Sequence, residues 1–187
     1  DPHLDRLVAI KTIRLVNATE EQAASYERRF LTEARSAARL RHPAIVNVYD
    51  AGHDDDVTYL VMEKVNGVNL KHCLNEGVRF SMAGVARTLL DVLGALEHAH
   101  QHRIVHRDVK PANILALVND AGAVTDVKIS DFGSVLNLTA ESTQIHQVGS
   151  LAYMAPEQLD GEVPDCRADI YGLGAVLYHL IAGRPPF

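Results

Sequence analysis

Residues 104–113 read Ile104-Val105-His106-Arg107-Asp108-Val109-Lys110-Pro111-Ala112-Asn113, and Asp131-Phe132-Gly133 follows downstream. One short loop therefore carries a carboxylate (Asp108), an ammonium (Lys110) and an amide (Asn113). A second carboxylate, Asp131, stands on the next loop. Phosphoryl transfer needs this mixture: an acceptor for a hydroxyl proton, a cation for the moving phosphate, and oxygen ligands for Mg²⁺. A single His-Arg-Asp or Asp-Phe-Gly tripeptide would be an ordinary turn. The two blocks in this order fix too many positions for that.

Working outward, the residues before the loop recur at three- and four-residue spacing: Val85, Leu89, Val92, Leu93, Leu96 and Ala99. This predicts a long amphipathic helix that delivers the chain to residue 104. Beyond the loop, Ile114–Val118 and Val127–Ser130 read as a hairpin around Asp120-Ala121-Gly122. Residues 134–150 are polar and aperiodic and read as a mobile loop. Ile170, Leu173, Val176, Leu177, Leu180 and Ile181 predict a final buried helix.

The first third mixes strand and helix. Leu7–Leu15 is rich in Val and Ile and reads as a strand. Thr19-Glu20-Glu21-Gln22 has capping-box spacing and opens a helix with Phe30, Ala34, Ala37 and Ala38 on one face. That helix runs toward Arg41, and Pro43 ends it. Ile45–Ala51 and Val57–Lys64 read as two strands joined by a solvated Asp54-Asp55-Asp56 turn.

The chain has 187 residues, 47% of them hydrophobic and 22% charged, which suits one domain or one domain cut short. A net charge of −6 does not suggest a nucleic-acid partner. The two cysteines, Cys73 and Cys166, have neither metal-ligand nor disulfide-framework spacing. His98, His100 and His102 read as solvated or core-edge positions. No apolar run is long enough to cross a membrane. No signal peptide opens the chain, and cytoplasmic placement is the expectation for this domain.

The order Val8-Ala9-Ile10-Lys11, a helix glutamate, the 104–113 block, Asp131-Phe132-Gly133 and Ala155-Pro156-Glu157 resembles the Hanks-type serine/threonine protein kinases, in their bacterial branch. The resemblance covers nearly the whole chain. It implies an α+β bilobal fold: a small, mainly β lobe with hinge over residues 1–65, and a larger, mainly α lobe over 66–187. It implies ATP and Mg²⁺ as cofactors and protein substrates bearing Ser or Thr. Asp108 would accept the hydroxyl proton, and Lys110 would steady the γ-phosphate in the manner of Ser/Thr rather than Tyr kinases. Asn113 and Asp131 would hold Mg²⁺, and His106 would be a packing residue.

By the same resemblance, Lys11 would bind the α and β phosphates and pair with Glu33, with Glu20, Glu21 and Glu27 as alternatives. Met62 would be the gatekeeper, the backbone of Glu63 and Val65 would meet adenine, and Ala9 and Leu115 would sandwich the ring. Ser142 or Thr143, or Thr139, would take an activating phosphate that pairs with Arg107. Self-association would allow phosphorylation in trans. Glu157 and Asp169 would be structural.

Both ends read as cuts through a larger protein. The Gly-rich phosphate loop would lie upstream of Val8, and further helices would lie beyond Phe187. The competing readings are a regulatory module that binds nucleotide without transfer, and a small-molecule phosphotransferase of related fold.

Overall fold

The computed structural model describes residues 5–14, 19–54, 57–118, 124–132 and 151–187. Gly133, Thr139, Ser142, Thr143, the Asp120–Gly122 turn, Asp55 and Asp56 lie outside the described residues.

Three strands form the first sheet: β1 (Val8–Arg14), β2 (Val48–Asp54) and β3 (Val57–Glu63), antiparallel in the order β1-β3-β2. The second of these starts later than the Ile45–Ala51 reading. The backbone ahead of it is already committed elsewhere. Val46 N–H donates to Ile129 O (2.9 Å) and Ile129 N–H donates to Ala44 O (2.8 Å), so Ile45 forms a parallel bridge instead of a ladder rung.

Helix α1 (Glu20–Ala37) begins with the predicted capping box. Thr19 Oγ1 accepts from Gln22 N–H (3.2 Å), and Gln22 Oε1 accepts from Thr19 N–H (3.0 Å), so two orphan donors are satisfied. The helix buries Phe30 and Ala34 and packs against β2.

A short strand, β4 (Val68–Asn69), leads into α2 (Leu70–Asn75), capped by Asn69 Oδ1, which accepts from His72 N–H at 2.8 Å. Helix α3 (Met82–Gln101) follows the predicted stripe, with Val85, Val92, Leu96 and Ala99 buried. A 3₁₀ turn at Pro111–Asn113 feeds β5 (Ile114–Val118), which pairs with β6 (Val124–Ile129) in a second sheet ordered β4-β5-β6.

Helix α4 (Pro156–Leu159) precedes α5 (Cys166–Ala182), which ends at Gly183 with φ of 72°, a left-handed cap that suits glycine. The last helix is buried on one side only. Leu173, Val176 and Leu180 are in the core, whereas Ile170 and Ile181 are 50% and 54% exposed. This corrects the expectation of a fully buried face.

The core joins α3, β5, β6 and α5 through Leu96, Ile114, Ile129 and Val176. Gly172 sets the distance between α5 and the 104–113 loop. A Cβ there would lie 2.9 Å from Val109 O and 3.1 Å from Val109 Cβ, so the close approach requires glycine. No helix among the described residues is long and apolar enough to cross a membrane.

Candidate active site

The 104–113 loop hangs from α5 by a single buried carboxylate. Asp169, 1% exposed, accepts from Arg107 N–H on Oδ1 (2.7 Å) and from His106 N–H on Oδ2 (2.8 Å). His100 Nε2 lies 2.7 Å from the same Oδ2. His100 is half-buried, at the core edge, and its ring serves as part of the loop's anchor. Nothing in the spacing of the ten histidines singles it out; only the tertiary approach of α3 to α5 does.

His106 is fully buried. Its Nδ1 accepts from Asp108 N–H (3.2 Å), which leaves the proton on Nε2, and Nε2–H donates to Ser130 O (2.8 Å). Its ring meets Phe132 edge-on, 4.6 Å between centroids. The histidine therefore packs and ties the loop to the Ser130–Phe132 segment, and both nitrogens are already used. Ser130 N–H also donates to Asn113 O (2.9 Å).

Within the loop the three groups read from the sequence form one bonded unit. Lys110 Nζ is 2.8 Å from Asp108 Oδ2. Asn113 Nδ2–H donates to the same Oδ2 (3.0 Å) and to Asp108 O (2.8 Å). Both of these side-chain contacts on Asp108 fall on Oδ2. Asn113 has its amide nitrogen turned to Asp108, so Oδ1 is the atom left with lone pairs for a cation.

Asp131 and Lys11 meet at 2.9 Å (Nζ to Oδ1). The expected partner of Lys11 was Glu33. The carboxylate bonded to it here is Asp131, across the site on the segment after β6. Glu33 lies half-buried on α1, and that helix packs on β2. Glu20, Glu21 and Glu27 lie on the same helix.

Of the four non-glycine residues with positive φ among those described, two are in this site: Arg107 (φ 68°) and Asp131 (φ 65°). Such backbone costs about 1–3 kcal/mol per residue and persists only where the surroundings impose it. At Arg107 the backbone bond to Asp169 does so.

The β1–β3 register places Ala9 directly opposite Met62 and Lys11 opposite Leu60. Strand alternation puts Ala9 and Lys11 on one face, while Ile10 on the other face is 62% exposed. Ala9 and Met62 therefore share the face from which Lys11 meets Asp131. Leu115, half-buried, lies on β5 opposite Asn69.

Glu63 is more constrained than its sequence position suggests. Its N–H donates to Asn47 O (2.8 Å). Its carboxylate takes Lys128 Nζ (2.9 Å), Asn47 Nδ2 (2.8 Å) and Asn47 N–H (3.2 Å). Burial alone would raise its pKa. The bonds from Lys128 and Asn47 oppose that and leave it below the ordinary value. Val65, half-buried, follows two residues on.

The protein kinase domain family matches residues 2–187. The chain is 41% identical over 186 residues to the serine/threonine-protein kinase PrkC of Bacillus subtilis, covering 98% of this chain and 28% of that protein. It is 40% identical over 195 residues to the serine/threonine-protein kinase PknB of Mycolicibacterium smegmatis, covering all of this chain and 30% of that protein. The chain thus spans under a third of the length of these relatives. Among solved structures, a cysteine-to-alanine mutant of the PknI kinase domain of Mycobacterium tuberculosis superposes with a TM-score of 0.73 at 31% identity, covering all of this chain and 67% of that one. Matched by the family model over residues 2–187, and about 40% identical to these relatives over its whole length, this chain belongs to the protein kinase domain family.

Proposed function

We propose that the chain is the catalytic core of a serine/threonine protein kinase that transfers the γ-phosphoryl of ATP to Ser or Thr hydroxyls of proteins. The observation that carries this reading is the Asp108–Lys110–Asn113 unit, held on a buried anchor beside Asp131. The division into a hinge-bearing part over 1–65 and a larger part over 66–187 belongs to the same proposal.

The donor set fits Mg²⁺. Asp131 and the Asn113 amide oxygen are hard oxygen ligands, and no cluster of three His, Cys, Asp or Glu among the described residues would by itself hold a metal. Mg²⁺ keeps several waters and shares its sphere with phosphate oxygens, so two protein ligands suffice. When bound, Mg²⁺ would neutralise charge that develops on the transferring phosphate.

This chain's own residues supply the rest. With Asp108 Oδ2 occupied by Lys110 and Asn113, Oδ1 is the oxygen placed to accept the substrate's hydroxyl proton. Lys110 would leave Asp108 Oδ2 to steady the γ-phosphate. Lys11 would exchange Asp131 for the α and β phosphates. The Glu63 carbonyl and the Val65 N–H would meet adenine, with Met62 behind it and Ala9 and Leu115 on its two faces. Phosphorylation of Ser142 or Thr143, in trans between associated copies, would order the activation loop through Arg107.

One observation favours a second reading. Lys11 and Asp131, the two groups that would face the nucleotide, are closed on each other. A module that binds nucleotide or a partner without transfer would tolerate that arrangement.

The test is transfer from Mg²⁺–ATP to a generic Ser/Thr protein, and to the protein itself, in the native-length protein. Asp108→Asn is expected to lower kcat by about 10²–10⁴-fold while ATP still binds. ATP binding with no transfer by the parent would establish the second reading.

A further inference from the structure

We infer that Gln158 is a positioning residue for Asp108 and mechanically couples α4 to the catalytic loop. The inference rests on the reading of Asp108 as the group that accepts the substrate's proton.

The peptide joining Arg107 to Asp108 is held at both ends. On the nitrogen side, Asp108 N–H donates to His106 Nδ1 (3.2 Å). On the oxygen side, Arg107 O accepts from Gln158 Nε2–H (2.9 Å). One residue back, Arg107 N–H is fixed by Asp169 at 2.7 Å. Arg107 itself sits at φ 68°, in the left-handed region that non-glycine residues avoid. Asp169 holds one end of this strained residue and Gln158 holds the other. Without the second grip, the Arg107–Asp108 peptide can rotate, and it carries the Asp108 carboxylate with it.

The Gln158 amide can serve only one way round. Its Oε1 accepts from Ala155 N–H (3.2 Å), the backbone donor ahead of α4. Its Nε2–H then faces Arg107 O. Turning the amide over would set oxygen against a carbonyl and nitrogen against a donor, losing both bonds. One side chain thus caps α4 and clamps the catalytic loop. Displacement of α4, which follows the segment over 133–150, would release the Arg107 carbonyl.

Two variants separate the roles. Gln158→Glu keeps an acceptor for Ala155 N–H but puts an oxygen against Arg107 O. Gln158→Lys keeps a donor for Arg107 O but cannot cap. In the native-length protein, kcat with Mg²⁺–ATP and a Ser/Thr protein substrate should fall about tenfold in Gln158→Glu, with the KM for ATP within about twofold. Gln158→Lys should recover kcat to within about threefold of the parent. Amide hydrogen exchange should quicken at Arg107 and Asp108 in Gln158→Glu and at Ala155, whose N–H loses its acceptor, in Gln158→Lys.

Equal losses of kcat in both variants, or a Gln158→Glu enzyme as fast as the parent, would overturn the inference and leave Gln158 as a cap only. If the parent transfers no phosphate, the kinase reading fails on its own. Exchange at Arg107 and Asp108 then decides the clamp: faster in Gln158→Glu supports it, and unchanged rates overturn it.

Discussion

The loop over 104–113 is held by Asp169 beneath it, by Ser130 and Phe132 beside it and by Gln158 at its edge. Lys11, on the first sheet, is joined to the same site by an ion pair to Asp131, whose side chains are 36% and 23% exposed. The loop's anchor is a carboxylate with no water contact. The strand's anchor lies at the surface, where solvent screens it and where exchange for another anion costs little. The loop half of the site is therefore fixed in advance by buried and part-buried bonds. The lysine half is the looser one, and under the proposed function Lys11 would give up Asp131 for phosphate oxygens.

Breaking the buried anchor should have the largest effect on stability. Asp169→Ala leaves the N–H groups of His106 and Arg107 and the His100 ring without their acceptor. Of these only the His106 N–H bond is fully buried, and a buried donor left without a partner costs about 1–3 kcal/mol, so the loss should exceed about 1 kcal/mol. Asp169→Asn keeps one carbonyl oxygen and should lose less. Denaturant midpoints of the three proteins measure the difference. A loss under about 1 kcal/mol for the alanine variant would mean that the loop does not depend on α5 for its shape.

How much of this contrast could be read beforehand depends on how local each signal is. The residues of the loop and of β1, their order, the capping box at Thr19 and the α3 stripe are all set by spacing along the chain, and the structure has them where the spacing puts them. The Ile45 bridge, the one-sided burial of α5, the role of His100 and the Glu63–Lys128–Asn47 cluster were hidden. Each depends on partners far away in sequence. A histidine two residues from another on a helix looks the same whether it faces water or Asp169. Lys11 shows the converse: the residue is obvious, but its ion partner is a matter of conformation, and Asp131 is not among the glutamates expected to pair with it.

A smaller effect should appear with pH at the junction between the first sheet and α3. His42, ahead of the Ile45 bridge, faces His98 at 5.5 Å between centroids, and His98 faces His102 at 4.5 Å. His42 Nδ1 accepts from Ala44 N–H (3.1 Å), which only the neutral ring can do. Burial chiefly, and then His98 and Lys128, push its pKa below the ordinary 6.5, while Asp91 pulls the other way. His179, a partner of the Tyr153 hydroxyl at 2.6 Å, is also lowered by burial. The unfolded chain then takes up protons that the fold refuses. Stability is full above the ordinary value of 6.5 and is lost as pH falls through it toward the depressed value. His42→Asn keeps an acceptor near Nδ1 and removes the titration. Its stability should fall less steeply than the parent's between about pH 7 and about pH 5. Parallel curves would show that His42 does not carry the dependence.

The smallest effect on stability should come from Lys11. Lys11→Met removes the ion pair to Asp131 but keeps most of the apolar stem, and exposed pairs of this kind contribute about 0–1 kcal/mol. Unfolding should therefore shift by less than about 1 kcal/mol, below the loss at Asp169. Nucleotide affinity should behave differently. If Lys11 trades Asp131 for phosphate oxygens, the variant loses a charge-assisted contact, and ATP should bind about tenfold more weakly. Calorimetric titration with Mg²⁺–ATP beside a denaturant melt reads both quantities on one sample. An unstable variant with normal ATP affinity would mean that the pair is a structural strut, and the contrast between a fixed loop and a releasable lysine would be wrong. A stable variant with weakened ATP binding would place the role of Lys11 in the nucleotide complex, where the ion pair to Asp131 is the resting partner that phosphate displaces.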